Sequence, residues 1–291
     1  MTDDPNLPPP HSLSGDFRFH AAFPSRFLST THDVMVWLPP GYGEQPDARY
    51  PVLYMHDGQN LFDAATSFSG EWHLDETAGS LVRSGMIEPL IIVGIYNTGA
   101  YRIDEYTPTR DGAKKAGGKA LQYGRMLTAE LKPFIDGLYR TRPAAADTGL
   151  GGSSLGGLVS LYLGLLNPGI FGRLAILSPS VWWDNRFIVR RIRALRSGPA
   201  DRIWLSVGTA EGDGVVDAAR RVRGALLHRG WTEGVNLKYA ELEGAEHNEA
   251  AWATASEDML KFLFPAGGAE GQPKGQPQGL PLGLPHCSPG T

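Results

Sequence analysis

Between residues 52 and 264, short and nearly unbroken runs of Val, Ile and Leu alternate with longer amphipathic segments. Runs that are apolar at almost every position, such as Leu90–Tyr96 and Ile203–Val207, suit strands covered on both faces, since a half-exposed strand would alternate. Further strands are expected at Phe17–Phe23, Val34–Leu38, Val52–Met55, Thr148–Gly151, Leu174–Leu177 and Leu237–Glu241. Helices are expected at Trp72–Arg83, Leu121–Tyr139, Leu155–Leu166, Asn185–Arg196, Val215–Arg229 and Glu249–Phe264. In the fifth of these, Val215, Ala218, Val222, Ala225 and Leu226 recur at helical spacing and make one apolar face. No helix separates the first two strands, so they form an antiparallel start. From residue 52 onward the strand–helix repetition predicts an α/β fold with a mostly parallel central sheet and helices on both faces. In such sheets, ligand chemistry gathers at the carboxyl ends of the strands.

The chain's 291 residues, 42% hydrophobic, support one sizeable core, expected over residues 16–265. Residues 1–15, polar with four prolines, read as a flexible N-terminal segment. Residues 266–291 hold seven Gly and five Pro and no aromatic residue, so they read as a disordered tail. The balance of 27 Lys+Arg against 31 Asp+Glu, a net charge of -4, offers no basic field for a phosphate backbone, so a nucleic-acid partner is excluded. The single cysteine, Cys287, lies in the tail, which rules out a disulfide framework, a thiolate metal cluster and a cysteine nucleophile. The acidic start Met1–Pro5 precedes no apolar signal core, and runs such as Leu90–Ile95 are too short to span a bilayer. A cytoplasmic protein without a membrane partner is therefore expected; a homo-oligomer remains open.

Gly152-Ser153-Ser154-Leu155-Gly156 matches G-x-S-x-G at the junction of an expected strand and an expected helix. Flanking glycines there permit a strained turn that projects Ser154 above the sheet. The backbone N–H of Leu155 would then open a helix, where an oxyanion is favoured. A serine nucleophile needs a base. Of eight histidines, only His228, His247 and His286 follow Ser154. His286 lies in the tail and His228 late in a helix, whereas His247 sits between the last strand and the last helix. The acid should follow the preceding strand, in Val207–Asp213: Glu211 is favoured, Asp213 is second and Asp217 third. A second oxyanion donor is expected in the loop after the third strand, from the N–H of Gln59 or Gly58. His56, Asp57 and Asp63 lie there too, but without a second cluster at ligand spacing no catalytic metal is expected.

These residues belong to a wider set of matching stretches: Tyr54–Asp63 (YMHDGQNLFD), Arg102–Pro108 (RIDEYTP), Leu131–Tyr139 (LKPFIDGLY), Gly151–Gly157 (GGSSLGG), Ser178–Trp183 (SPSVWW) and Gly244–Asn248 (GAEHN). In this order, over about residues 30–264, the chain resembles the esterase D/enterochelin esterase-like branch of the α/β-hydrolases, with its feruloyl esterase and mycolyltransferase relatives. The resemblance implies an α/β-hydrolase fold, a Ser154–His247–Glu211 triad, oxyanion donors at Leu155 and Gln59, and no cofactor. It implies hydrolysis of a small-molecule ester. Acyl transfer, thioester or peptide hydrolysis, and ligand binding without catalysis are the alternatives.

Two segments bear on specificity. Residues 97–119 are glycine-rich and carry Arg102, Arg110, Lys114, Lys115 and Lys119. This segment is expected as a mobile rim loop that favours anionic or polyhydroxylated esters. Trp182 and Trp183, with Asp57 and Arg102, are candidates for the pocket wall. Only about 20 residues separate the strand at 174–177 from the next, which leaves no room for a large lid. A small or medium soluble ester is expected.

Overall fold

The computed structural model describes residues 10–195 and 202–267. The expected tail beyond 267, residues 1–9 and the last residue of the helix expected at 185–196 lie outside these. In chain order the elements are β1 (Asp16–Phe23), β2 (His32–Leu38), β3 (Val52–His56), α1 (Leu74–Arg83), β4 (Ile91–Ile95), α2 (Arg102–Glu105), β5 (Arg110–Asp111), β6 (Ala116–Gly117), α3 (Ala120–Met126) and α4 (Lys132–Leu138). There follow β7 (Thr148–Ser153), α5 (Leu155–Leu166), β8 (Arg173–Leu177), α6 (Trp183–Arg193), β9 (Arg202–Gly208), α7 (Asp213–His228), β10 (Leu237–Leu242) and α8 (Glu249–Leu263).

Eight strands form one sheet in the order β1-β2-β4-β3-β7-β8-β9-β10. β1 and β2 are antiparallel, β2 runs antiparallel to β4, and every other neighbouring pair is parallel. The expected α/β-hydrolase sheet with an antiparallel start is therefore present. Alternation along the strands divides the core in two. Val52 and Tyr54 of β3 and Ile91, Val93 and Ile95 of β4 face the side covered by α3 to α7. Leu53, Met55 and Ile92 face α1 and α8. Both faces are covered, which is why these strands read as continuous apolar runs. α5, with no charged side chain, is buried along nearly its whole length against β7 and β8. The apolar face of α7 buries Ala218, Val222, Ala225 and Leu226 as its spacing predicts.

Two expectations change. The helix at 121–139 is continuous in space but holds a π-helical turn, Leu127–Leu131, between α3 and α4. The N-terminal segment is held in place from residue 11 onward, ahead of the expected boundary at 16. His11 Nδ1 lies 2.6 Å from Asp63, the Ser14 N–H donates to Asp75 at 2.7 Å, and the Trp37 indole N–H donates to the Ser14 carbonyl at 3.0 Å. Polar residues read as flexible because their partners, some 23 to 61 residues away, carry no local signature.

Candidate active site

The carboxyl ends of all six parallel strands point one way, and the segments that follow β3, β4, β7 and β10 line a cleft of about 320 Å³. It is lined by Asp57 and Asn60 after β3, Arg102 after β4, Ser153 and Ser154 at the end of β7, and His247, Asn248, Glu249 and Trp252 after β10, with Phe68 and Ser69 at its lip.

Ser154 has φ 56° and ψ −120°, a conformation few L-residues adopt, between the last residue of β7 and the first of α5. The turn is this tight because Gly156 has no side chain: a Cβ there would meet His56 Cβ at 3.2 Å and Asp57 Oδ2 at 3.3 Å. The Ser154 N–H donates to the Leu177 carbonyl at 3.0 Å, and the Ser180 N–H donates to the Ser154 carbonyl at 2.9 Å. The Ser154 hydroxyl is hydrogen-bonded to that of Ser180, 3.3 Å away.

Glu211 closes a short 3-10 turn at the end of β9, and its carboxylate is buried. Its Oε2 lies 2.6 Å from His247 Nδ1, while Oε1 accepts the Ser178 hydroxyl and the Gly208 N–H at 2.8 Å. Burial acts to raise the Glu211 carboxyl, but the hydrogen bonds from His247, Ser178 and Gly208 outweigh it and hold it below the ordinary range. The His247 imidazole stands edge-on to Trp252, ring centroids 5.0 Å apart. The Trp252 indole N–H donates to Ser178 Oγ at 3.0 Å, so one chain of hydrogen bonds joins the indole, the serine, the carboxylate and the imidazole. Asp213 is exposed in the first turn of α7 and has no part in this chain. Ser178, Ser180 and Trp252 were not singled out from the sequence, although Ser178 and Ser180 follow the end of β8, where such residues should lie.

Beneath the serine turn His56 is fully buried, its Nδ1 2.9 Å from the Tyr123 hydroxyl. Burial, opposed by Asp57 and reinforced by Arg102 and His32, lowers its pKa to about 3, so the ring is neutral. Asp57 holds Arg102 in a two-bond fork, Nε to Oδ1 and Nη2 to Oδ2 at 2.7 Å each, and also accepts from Asn97 at 2.7 Å. Burial acts to lower the Arg102 pKa, but Asp57 outweighs it and raises it. Glu249, bonded to Asn60 at 3.0 Å, has its carboxyl pushed up chiefly by burial. Gln59 is in the 3-10 turn after β3, its side chain turned to the Asn97 N–H at 3.1 Å, and Leu155 is the first residue of α5.

The cleft brings Ser154, His247, Asp57 and Arg102 together, but not the two tryptophans. Trp183 is buried in the core behind the β5–β6 hairpin, its indole donating to the Thr109 carbonyl at 3.0 Å. Trp182 is exposed, with the Lys114 ammonium 5.0 Å above its ring. The segment 97–119 is built as α2 and the hairpin rather than as an open loop. Lys119 pairs with Asp104, whose other oxygen takes the Gly117 N–H at 2.6 Å. Among the described residues, no helix is long and apolar enough to cross a membrane.

The sheet order and the helices on both its faces are those of an α/β-hydrolase. The sequence profile of the family described as Putative esterase matches residues 25–263, and the chain belongs to that family. Over 264 residues it is 26% identical to the uncharacterised protein YbbA of Bacillus subtilis, covering 87% of this chain and 97% of that one. It is also 26% identical over 247 residues to the ferri-bacillibactin esterase BesA of Bacillus subtilis, covering 76% and 82% of the two chains. The crystal structure of the BES protein from Bacillus cereus superposes with a TM-score of 0.69 at 23% identity, over 87% of this chain and 96% of that one.

Proposed function

We propose that the chain is a serine carboxylic-ester hydrolase that works through an acyl-enzyme. The observation that carries this reading is the cleft shared by Ser154 and His247, with the Glu211 carboxylate 2.6 Å behind the imidazole. With Nδ1–H directed at Glu211, the other ring nitrogen, Nε2, is free to accept a proton. Turned away from Ser180 by rotation about its Cα–Cβ bond, the Ser154 hydroxyl would donate to Nε2. His247 then removes the hydroxyl proton as Oγ attacks the ester carbonyl, and Glu211 stabilises the imidazolium. The backbone N–H groups of Leu155 and Gln59 receive the oxyanion. That of Leu155, at the first position of a helix, has no partner within the helix. Collapse of the intermediate expels the alcohol, which takes its proton from His247. Water activated by the same imidazole then releases the acid.

The cleft, about 320 Å³, accommodates a small or medium acyl group. Phe68, 66% exposed at the lip, and Trp252 offer aromatic faces, which favours a phenolic or siderophore-type ester, in keeping with the relative named a ferri-bacillibactin esterase. The test is hydrolysis of p-nitrophenyl acetate and butyrate by the purified chain and by Ser154→Ala. A loss of at least ~10³-fold in kcat is expected in the variant. Activity retained in Ser154→Ala would overturn the reading.

A further inference from the structure

Just outside the cleft, on the stretch that leads from its lip into α1, Glu71, His73 and Glu76 each turn one ligand atom toward a common point, all within 4.8 Å of one another. His73 Nδ1 lies 3.5 Å from Glu71 Oε1 and 3.5 Å from Glu76 Oε1. That spacing is too long for a good N–H···O hydrogen bond, whose range is about 2.7–3.2 Å. Each of these two separations is close to the edge of a tetrahedron, about 3.4 Å, whose ligands lie about 2.1 Å from a central zinc ion. Glu71 supplies an independent observation. The residue is 9% exposed, and its Oε1 is buried, without a hydrogen-bond partner, on the side of His73. Its other oxygen accepts the Ser12 hydroxyl at 2.8 Å, an outer contact of the kind that orients a metal-binding carboxylate. Among the described residues no Lys or Arg pairs with Glu71 or Glu76.

We propose that Glu71, His73 and Glu76 bind a borderline divalent cation of the zinc type. One imidazole nitrogen and two carboxylate oxygens suit such an ion, whereas magnesium prefers oxygen ligands alone. The charges of the two carboxylates balance the dication. His73 is more than half exposed, which leaves the fourth position to water. The bound ion would pin residues 71–76 to one another and so brace the chain between Phe68 and Ser69, at the lip of the cleft, and α1. The site does not depend on the hydrolytic reading, since it shares no residue with it.

Calorimetric titration of the chelator-stripped full-length protein with zinc chloride tests the proposal, alongside melting curves with zinc or magnesium. One zinc ion per chain and a rise in Tm of a few degrees are expected, with no shift in magnesium. His73→Asn is the first variant, because asparagine tolerates the left-handed backbone at this position, φ 52°. It should weaken zinc binding at least tenfold while the metal-free Tm stays close to that of the wild type. Glu71→Gln should do the same. A control, His228→Asn, should leave binding unchanged. Absence of zinc binding, or wild-type affinity in both His73→Asn and Glu71→Gln, would overturn the site.

Discussion

At the scale of single residues, two carboxylates two positions apart have different fates. Glu211 is at the end of a 3-10 turn that folds its side chain back over Gly208, where the Gly208 and Ser178 donors wait. Asp213 begins a helix, which directs its carboxylate outward to the positive end of the dipole. Glu211→Gln is therefore expected to lower kcat/KM by roughly 10²–10⁴-fold, and Asp213→Asn to change it less than about twofold, in steady-state assays on a p-nitrophenyl ester. Equal losses in the two variants would remove Glu211 from its proposed role. The sequence ranked these two without a geometric reason, since both follow the same strand. It was silent on Ser178, whose hydroxyl matters only because β8 and β9 are neighbours. Trp183 shows the opposite failure. Its position after a strand end suggested a pocket wall, but its ring is large and apolar with one donor, and the core behind the hairpin supplies both the space and the Thr109 carbonyl.

At the scale of elements, the loops are positioned by close backbone approach. A Cβ on Gly208, at the end of β9, would lie 2.1 Å from the Ala245 carbonyl oxygen, which accepts the Ala210 N–H at 3.0 Å. Only glycine lets the end of β9 touch the loop that carries His247. Gly208→Ala is expected to cost about 2 kcal/mol or more in urea unfolding and to lower activity by displacing that loop. Gly224 offers the contrast. It lies exposed inside α7 with nothing within 4 Å of its missing Cβ, so Gly224→Ala should stabilise by about 0.5–1 kcal/mol and leave activity unchanged. Helix and strand identities were legible because their periodicities are local. The hairpin β5–β6 was not, because its two-residue strands are too short for a period and are set by Trp183 and Asp104.

At the scale of the whole molecule, the buried His56 couples stability to pH. Its pKa, about 3 in the folded state against an ordinary 6.5, is depressed, so the unfolded chain binds the proton more readily. The ring's contribution is fully present above about pH 6.5 and is lost as the pH falls from there toward 3, at up to about 1.4 kcal/mol per unit. Urea midpoints measured at pH 7 and pH 5 should show a steeper decline in the wild type than in His56→Asn, which has no proton to gain; equal slopes would refute the assignment. By itself the sequence determined the α/β class, the antiparallel start, the type and order of the main elements and the strand-to-helix turn at Ser154. Each of these rests on apolar periodicity, glycine spacing or a motif read within one short segment. Only the tertiary structure decided that β4 lies between β2 and β3, that Glu211 rather than Asp213 lies against His247, and that Asn60 meets Glu249 across the cleft. Those contacts join residues 36 and 189 positions apart, and a distance in space between such residues arises only when both faces of the sheet bury their apolar side chains at once.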